Sequence, residues 1–121
     1  MLLQAKKRYE QSECKWISTF PENVKYDYVT ASGIFNVKLD NSDAIWKDYI
    51  TETIHKMNTV SAKGFSFNIL TKYSDKEFMK DKLYYADPCY WFDYCKQHFS
   101  KNVALLHDYS LYEFTILVKR F

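Results

Sequence analysis

The chain has 121 residues, 47% hydrophobic and 26% charged, a balance that suits one folded domain over 1–121 and excludes a disordered or fibrous protein. Its 17 basic against 15 acidic side chains leave a net charge of +2, which excludes an acidic mimic of a nucleic-acid backbone and is weak for a protein that lives by neutralising phosphates. Three irregularly spaced cysteines, Cys14, Cys89 and Cys95, make no disulfide framework and point to a reducing setting, the cytoplasm.

The N-terminus turns charged after Leu2 and Leu3, so it offers no apolar run for a secretion signal, and no stretch reaches membrane-spanning length. Aromatic residues are abundant, with 11 Tyr, 9 Phe and 3 Trp, whereas Gly and Pro number 2 each. A ring-rich core or interface follows. The bias towards residues with AT-rich codons fits a virus or mobile element as the source.

In chain order, residues 2–12 are mostly good helix formers, with Leu2, Ala5 and Tyr9 on one face. KWISTF, 15–20, alternates as a strand does, and Val24, Tyr26 and Tyr28 share one side of a second extended run. Ser32-Gly33 supplies a turn, and GIFNVKLD sets Phe35, Val37 and Leu39 on one side, which predicts a hairpin over 24–40.

Ser42 caps a helix in which Trp46, Tyr49, Ile50, Thr53, Ile54 and Met57 recur at helical spacing. After Gly64, alternate residues Phe65, Phe67, Ile69, Thr71 and Tyr73 predict a strand. Ser74 and Glu77 have the form of a capping box, predicting a helix to Ala86, and Asp87-Pro88 restarts a further helix through Ser100. VALLH and LYEFTILVKRF then read as strands, the last one central because Leu111 and Leu117 occupy its second face. The fold class is α+β: a mostly antiparallel sheet of about four to six strands packed by three to four helices.

YYADPCYWFDYC, 84–95, raises the sharpest question, with six rings and two cysteines in twelve residues. On a helix, Trp91, Phe92, Cys95 and Phe99 form a core stripe, and Cys89 and Cys95 point too far apart to share a metal. Cys95 and His98 make a metal-compatible pair that lacks further ligands nearby. Tyr84, Tyr85, Tyr90 and Tyr94 fall outside the stripe. With Lys96 and Lys101 they form the candidate interaction surface, suited to a protein partner or, alternatively, to stacking single-stranded nucleic acid.

Familiar catalytic signatures are missing. Gly33 and Gly64 cannot build a glycine-rich phosphate loop, and no pairing of Cys14, Cys89 or Cys95 with His55, His98 or His107 is favoured by spacing. Asp93-Tyr94-Cys95-Lys96 resembles the tyrosine-and-lysine motif of rolling-circle replication initiators over four residues only, without that family's paired histidines. The sequence thus predicts a non-enzymatic interaction protein, an inhibitor or adaptor of viral or mobile-element origin, without metal or cofactor and without membrane contact. A single-strand nucleic-acid binder is the alternative. A dimer could form if the 114–118 strand lay at a sheet edge.

Overall fold

The computed structural model describes residues 2–8, 13–21 and 23–121. Helix α1 covers Leu2–Arg8, and residues 9–12 of the helix predicted there lie outside the described residues. Residues 13–21 carry no strand. The alternation in KWISTF is a local signal, and a strand also needs a ladder partner, which these residues do not find.

Strand β1 is Tyr26–Ala31, helix α2 is Asp43–Val60 and strand β2 is Ser61–Leu70. β1 and β2 pair in parallel, so the three elements form a strand–helix–strand crossover. This replaces the predicted hairpin. Instead of returning along β1, the chain after Gly33 is pinned to β2: Gly33 N–H donates to Asn68 Oδ1 at 2.8 Å, and Leu70 N–H donates to Asn36 Oδ1 at 3.1 Å. Phe35 enters the core with 0% exposure while its carbonyl accepts from Trp46 Nε1 at 2.8 Å.

α2 forms as its sequence dictates. Ser42 Oγ caps it by accepting from Ile45 N–H at 3.2 Å, Asp43 suits the positive end of the helix dipole, and Ile50, Ile54 and Met57 are buried. Asp87 does the same for helix α3, Pro88–His98, accepting from Cys89 N–H at 3.0 Å, with Trp91 and Cys95 in the core.

The helix predicted over 74–86 is reduced to a 3-10 turn at Lys76–Phe78. Ser74 Oγ donates back to Thr71 O at 2.6 Å rather than capping forwards. The ends of the segment are tied together by Lys72 N–H to Ala86 O and Ala86 N–H to Leu70 O, both 2.8 Å, making 72–86 a closed surface loop.

Strands β3, Asn102–Leu106, and β4, Glu113–Lys119, complete a four-stranded mixed sheet in the order β1-β2-β4-β3. Both β4 pairings are antiparallel. The class is α+β as predicted, and the four strands, with two of their three pairings antiparallel, lie within the predicted four to six. The parallel β1–β2 pair makes the sheet mixed, and two helices, α2 and α3, pack on it rather than three to four. β4 is central, as its two apolar faces predicted, so 114–118 is not an edge at which a second copy could pair. The core forms where Phe65, Phe67 and Ile69 of β2 lie beside Val118, Ile116 and Phe114 of β4, beneath the helices. No helix among the described residues is long and apolar enough to cross a membrane.

Gly64 sits where β2 crosses closest to β4, and a Cβ there would overlap the carbonyl oxygen of Val118. Gly33, at φ 75°, has open space around it. Gly64→Ala should therefore destabilise the fold by about 3 kcal/mol or more through overpacking, and Gly33→Ala by only about 1 kcal/mol of backbone strain. Urea midpoints of the two variants check the order.

Candidate active site at the carboxyl end of the sheet

The predicted surface residues do not share one face. Tyr84 is buried, its N–H donating to Asn36 O at 2.8 Å, and burial, seconded by the charge of Asp43, pushes its phenol pKa up. The buried indole nitrogen of Trp91 makes no hydrogen bond, yet it lies near enough to that phenol to pull weakly the other way. Tyr85 holds the 72–86 loop by accepting from Lys80 N–H at 2.9 Å.

Tyr90 and Tyr94 do come together, stacked with centroids 6.1 Å apart, and Tyr94 stacks in turn on His98 at 4.1 Å. These rings sit one helical turn apart and face α2, where Lys47 lies 3.5 Å above Tyr90 and His55 Nε2 is 2.7 Å from the Tyr94 hydroxyl. They zip the two helices together. Lys96 donates to Lys101 O at 2.9 Å and lies over Phe92, and Lys101 is exposed. Cys95 is fully buried, and desolvation pushes its thiol up to about 12. Among the described residues no group of three or more His, Cys, Asp or Glu could hold a metal ion.

Chemistry gathers elsewhere. In sheets with parallel strands, ligands favour the carboxyl ends, where loops diverge. There the segments after β2 and between β3 and β4 enclose a cleft of about 600 Å³ lined by Thr71, Tyr73, His107, Ser110, Leu111 and Tyr112. Thr71, 1% exposed, is its anchor. Its N–H donates to Tyr112 O at 3.0 Å, its hydroxyl oxygen accepts from Tyr73 N–H at 3.2 Å, and that same oxygen lies 2.9 Å from His107 Nε2. Tyr112 donates to Asp75, and that bond holds its phenol pKa above the ordinary value. Asp75 thereby closes one rim of the cleft.

A larger cleft of about 850 Å³ lies at the opposite end of β1, but Lys25 and Lys56 are the only ionisable groups among its described lining residues. It holds no acid–base pair. The sequence reading passed over the His107 cleft because its members are 36 residues apart in the chain. The parallel β1–β2 pairing, which points to this end of the sheet, is visible only in the structure.

Against known proteins, the chain is 60% identical over 94 residues to a protein of Mycobacterium tuberculosis named "Putative methyltransferase Rv1506c". The match takes in 78% of this chain and 57% of that protein, so the chain spans little more than half the relative's length. No protein-family model matches the chain, and no solved structure matches it. A contiguous match of 94 residues within 121 necessarily includes 28–94, hence α2, β2 and the loop that carries Tyr73 and Asp75.

The relative's name corrects the expectation of a non-enzymatic inhibitor or adaptor of viral or mobile-element origin, since a bacterial protein this similar is named as an enzyme. Tyr84 is buried, so it shares no exposed stacking surface with Tyr90 and Tyr94. The exclusion of catalysis had rested on local motifs, whereas the cleft is assembled from separate loops.

Burial sets a simple expectation for the thiols. Cys14 and Cys89 are exposed and Cys95 is not. In the native protein at pH 8, a thiol reagent should label two cysteines quickly and the third only on unfolding. Because the Cys95 pKa is raised from 9.0 to about 12, its contribution to stability is whole below pH 9 and fades as pH rises towards 12. Denaturation midpoints across that window should decline, and Cys95→Ala should flatten the decline.

Proposed function

We propose that this chain is part of a methyltransferase and that its carboxyl-end cleft receives the methyl acceptor. The observation that carries the reading is the 60% identity to a protein named as such an enzyme, over a stretch that includes the cleft's Thr71, Tyr73 and Asp75. Methylation of a hydroxyl or amine releases a proton, and a base at hydrogen-bond reach of the acceptor speeds the reaction. His107 is that base. In the tautomer that donates Nε2–H to Thr71 Oγ1, Nδ1 is the basic nitrogen. Thr71 is the positioning residue, since it fixes the ring through a buried contact.

A methyl donor would need its own site. The common cradle for a nucleotide-bearing donor is a glycine-rich turn from strand to helix, where bare backbone approaches the ligand. The turn between β1 and α2 holds one glycine, Gly33, whose N–H is already taken by Asn68. The other, Gly64, lies within β2 against β4. Neither glycine builds such a cradle.

The test is transfer of labelled methyl from S-adenosylmethionine into small-molecule acceptors. His107→Gln should lower the rate by about a hundredfold or more, in the range for loss of a general base, while His55→Ala, whose ring lies in the helix seam, should leave it unchanged. Absence of transfer by the unaltered protein, or full activity in His107→Gln, would overturn the reading.

A further inference from the structure

Four large apolar side chains crowd the rim of the His107 cleft and face solvent: Tyr73 is 62% exposed, Leu111 61%, Phe78 60% and Tyr112 45%. Leaving such surface wet is unfavourable, and a cluster of it around a polar pocket marks a ligand site. The rings are braced: Phe78 stacks on Tyr112 with centroids 6.4 Å apart, and Tyr73 tilts against His107 at 5.9 Å. The cleft's lining holds no lysine or arginine. Lys72, beside the Tyr73 ring, is spent on Asp87 at 3.4 Å, and Asp75 is engaged by Tyr112. Among the described lining residues there is no lysine, arginine, aspartate or glutamate to match a charged ligand.

We infer that the cleft takes an uncharged ring bearing a hydroxyl, with the ring's flat apolar face laid on Tyr73 and the hydroxyl brought to His107. This names the acceptor class for the methyltransferase reading and rests on it. A ring on Tyr73 is at the right place because that side chain already lies beside the His107 imidazole. Ser110, in the same lining, adds a neutral polar group for a neighbouring hydroxyl. The volume of about 600 Å³ suits one or two rings. The shared chemistry is that of a sugar face or a phenol.

The test is titration of the chain with methyl glucoside and 4-methylphenol, and with their charged counterparts glucose 6-phosphate and benzoate, read as chemical-shift changes of the Tyr73 and His107 rings. At least one neutral probe should bind about tenfold more tightly than its charged counterpart, and whichever does identifies the source. Tyr73→Ala should weaken that binding about tenfold, the scale of a lost ring contact. Tyr28→Ala, on the uncovered face of the sheet, should not. Equal or tighter binding of the charged probes, or unchanged binding in Tyr73→Ala, overturns the inference. The two readings fail separately: labelled-methyl transfer to charged acceptors alone would sink this inference and keep the enzyme, whereas neutral-ring binding without any transfer would keep the ring site and sink the enzyme.

Discussion

The carboxyl end of the sheet is organised around Thr71. Within one buried residue, the N–H reaches the β3–β4 loop, the carbonyl accepts from both Ser74 N–H and Ser74 Oγ, and the hydroxyl joins Tyr73 N–H to His107. A buried polar group left without its partner costs about 1–3 kcal/mol, so each of these bonds is obligatory once Thr71 is buried by the last turn of β2. Two loops that are far apart in the chain, 72–86 and 107–112, are thereby held in one geometry. The imidazole, on the β3–β4 loop, is held by Thr71, the buried residue directly after β2.

What was legible in the sequence was what is decided locally. Ser42 and Asp87 cap helices because their oxygens reach amides two or three residues away, and the alternation in 113–119 marks a strand whose Phe114, Ile116 and Val118 enter the core. The parallel β1–β2 pairing was not legible: a parallel ladder is specified by contacts on either side of an 18-residue helix, and Ser32-Gly33 has the chemistry of a hairpin turn whether or not the chain turns back. Asn36 and Asn68 decide the matter by taking backbone partners on β2 and in the loop, and neither asparagine announces that use. Ser74 and Glu77 failed as a helix start for a related reason. Closing the 72–86 loop at Thr71 and Ala86 satisfies that backbone more completely than a free helix would.

The aromatic stretch 84–95 shows how composition misleads about chemistry. Its rings are divided between the core, where Tyr84 and Trp91 lie, and the seam with α2, where Lys47 and His55 meet Tyr90 and Tyr94. Such a seam stabilises the packing of α3 on α2, with the Lys47–Tyr90 contact alone contributing about 0.5–1 kcal/mol at an exposed site. Density of rings in the sequence measured how much helix surface needed covering. It did not measure how near those rings lay to a reactive group.

Of the three histidines, that difference selects one. His55 and His98 lie in the seam, where the first is bonded to Tyr94 and the second is stacked upon it, and neither lines the two clefts described above. His107 borders such a space, keeps one ring nitrogen on a buried oxygen, and has exposed rings beside it on which a ligand can lie. The same imidazole chemistry is present at all three positions. Geometry makes it useful at one, because a base acts only on a proton that a neighbouring surface can hold in place.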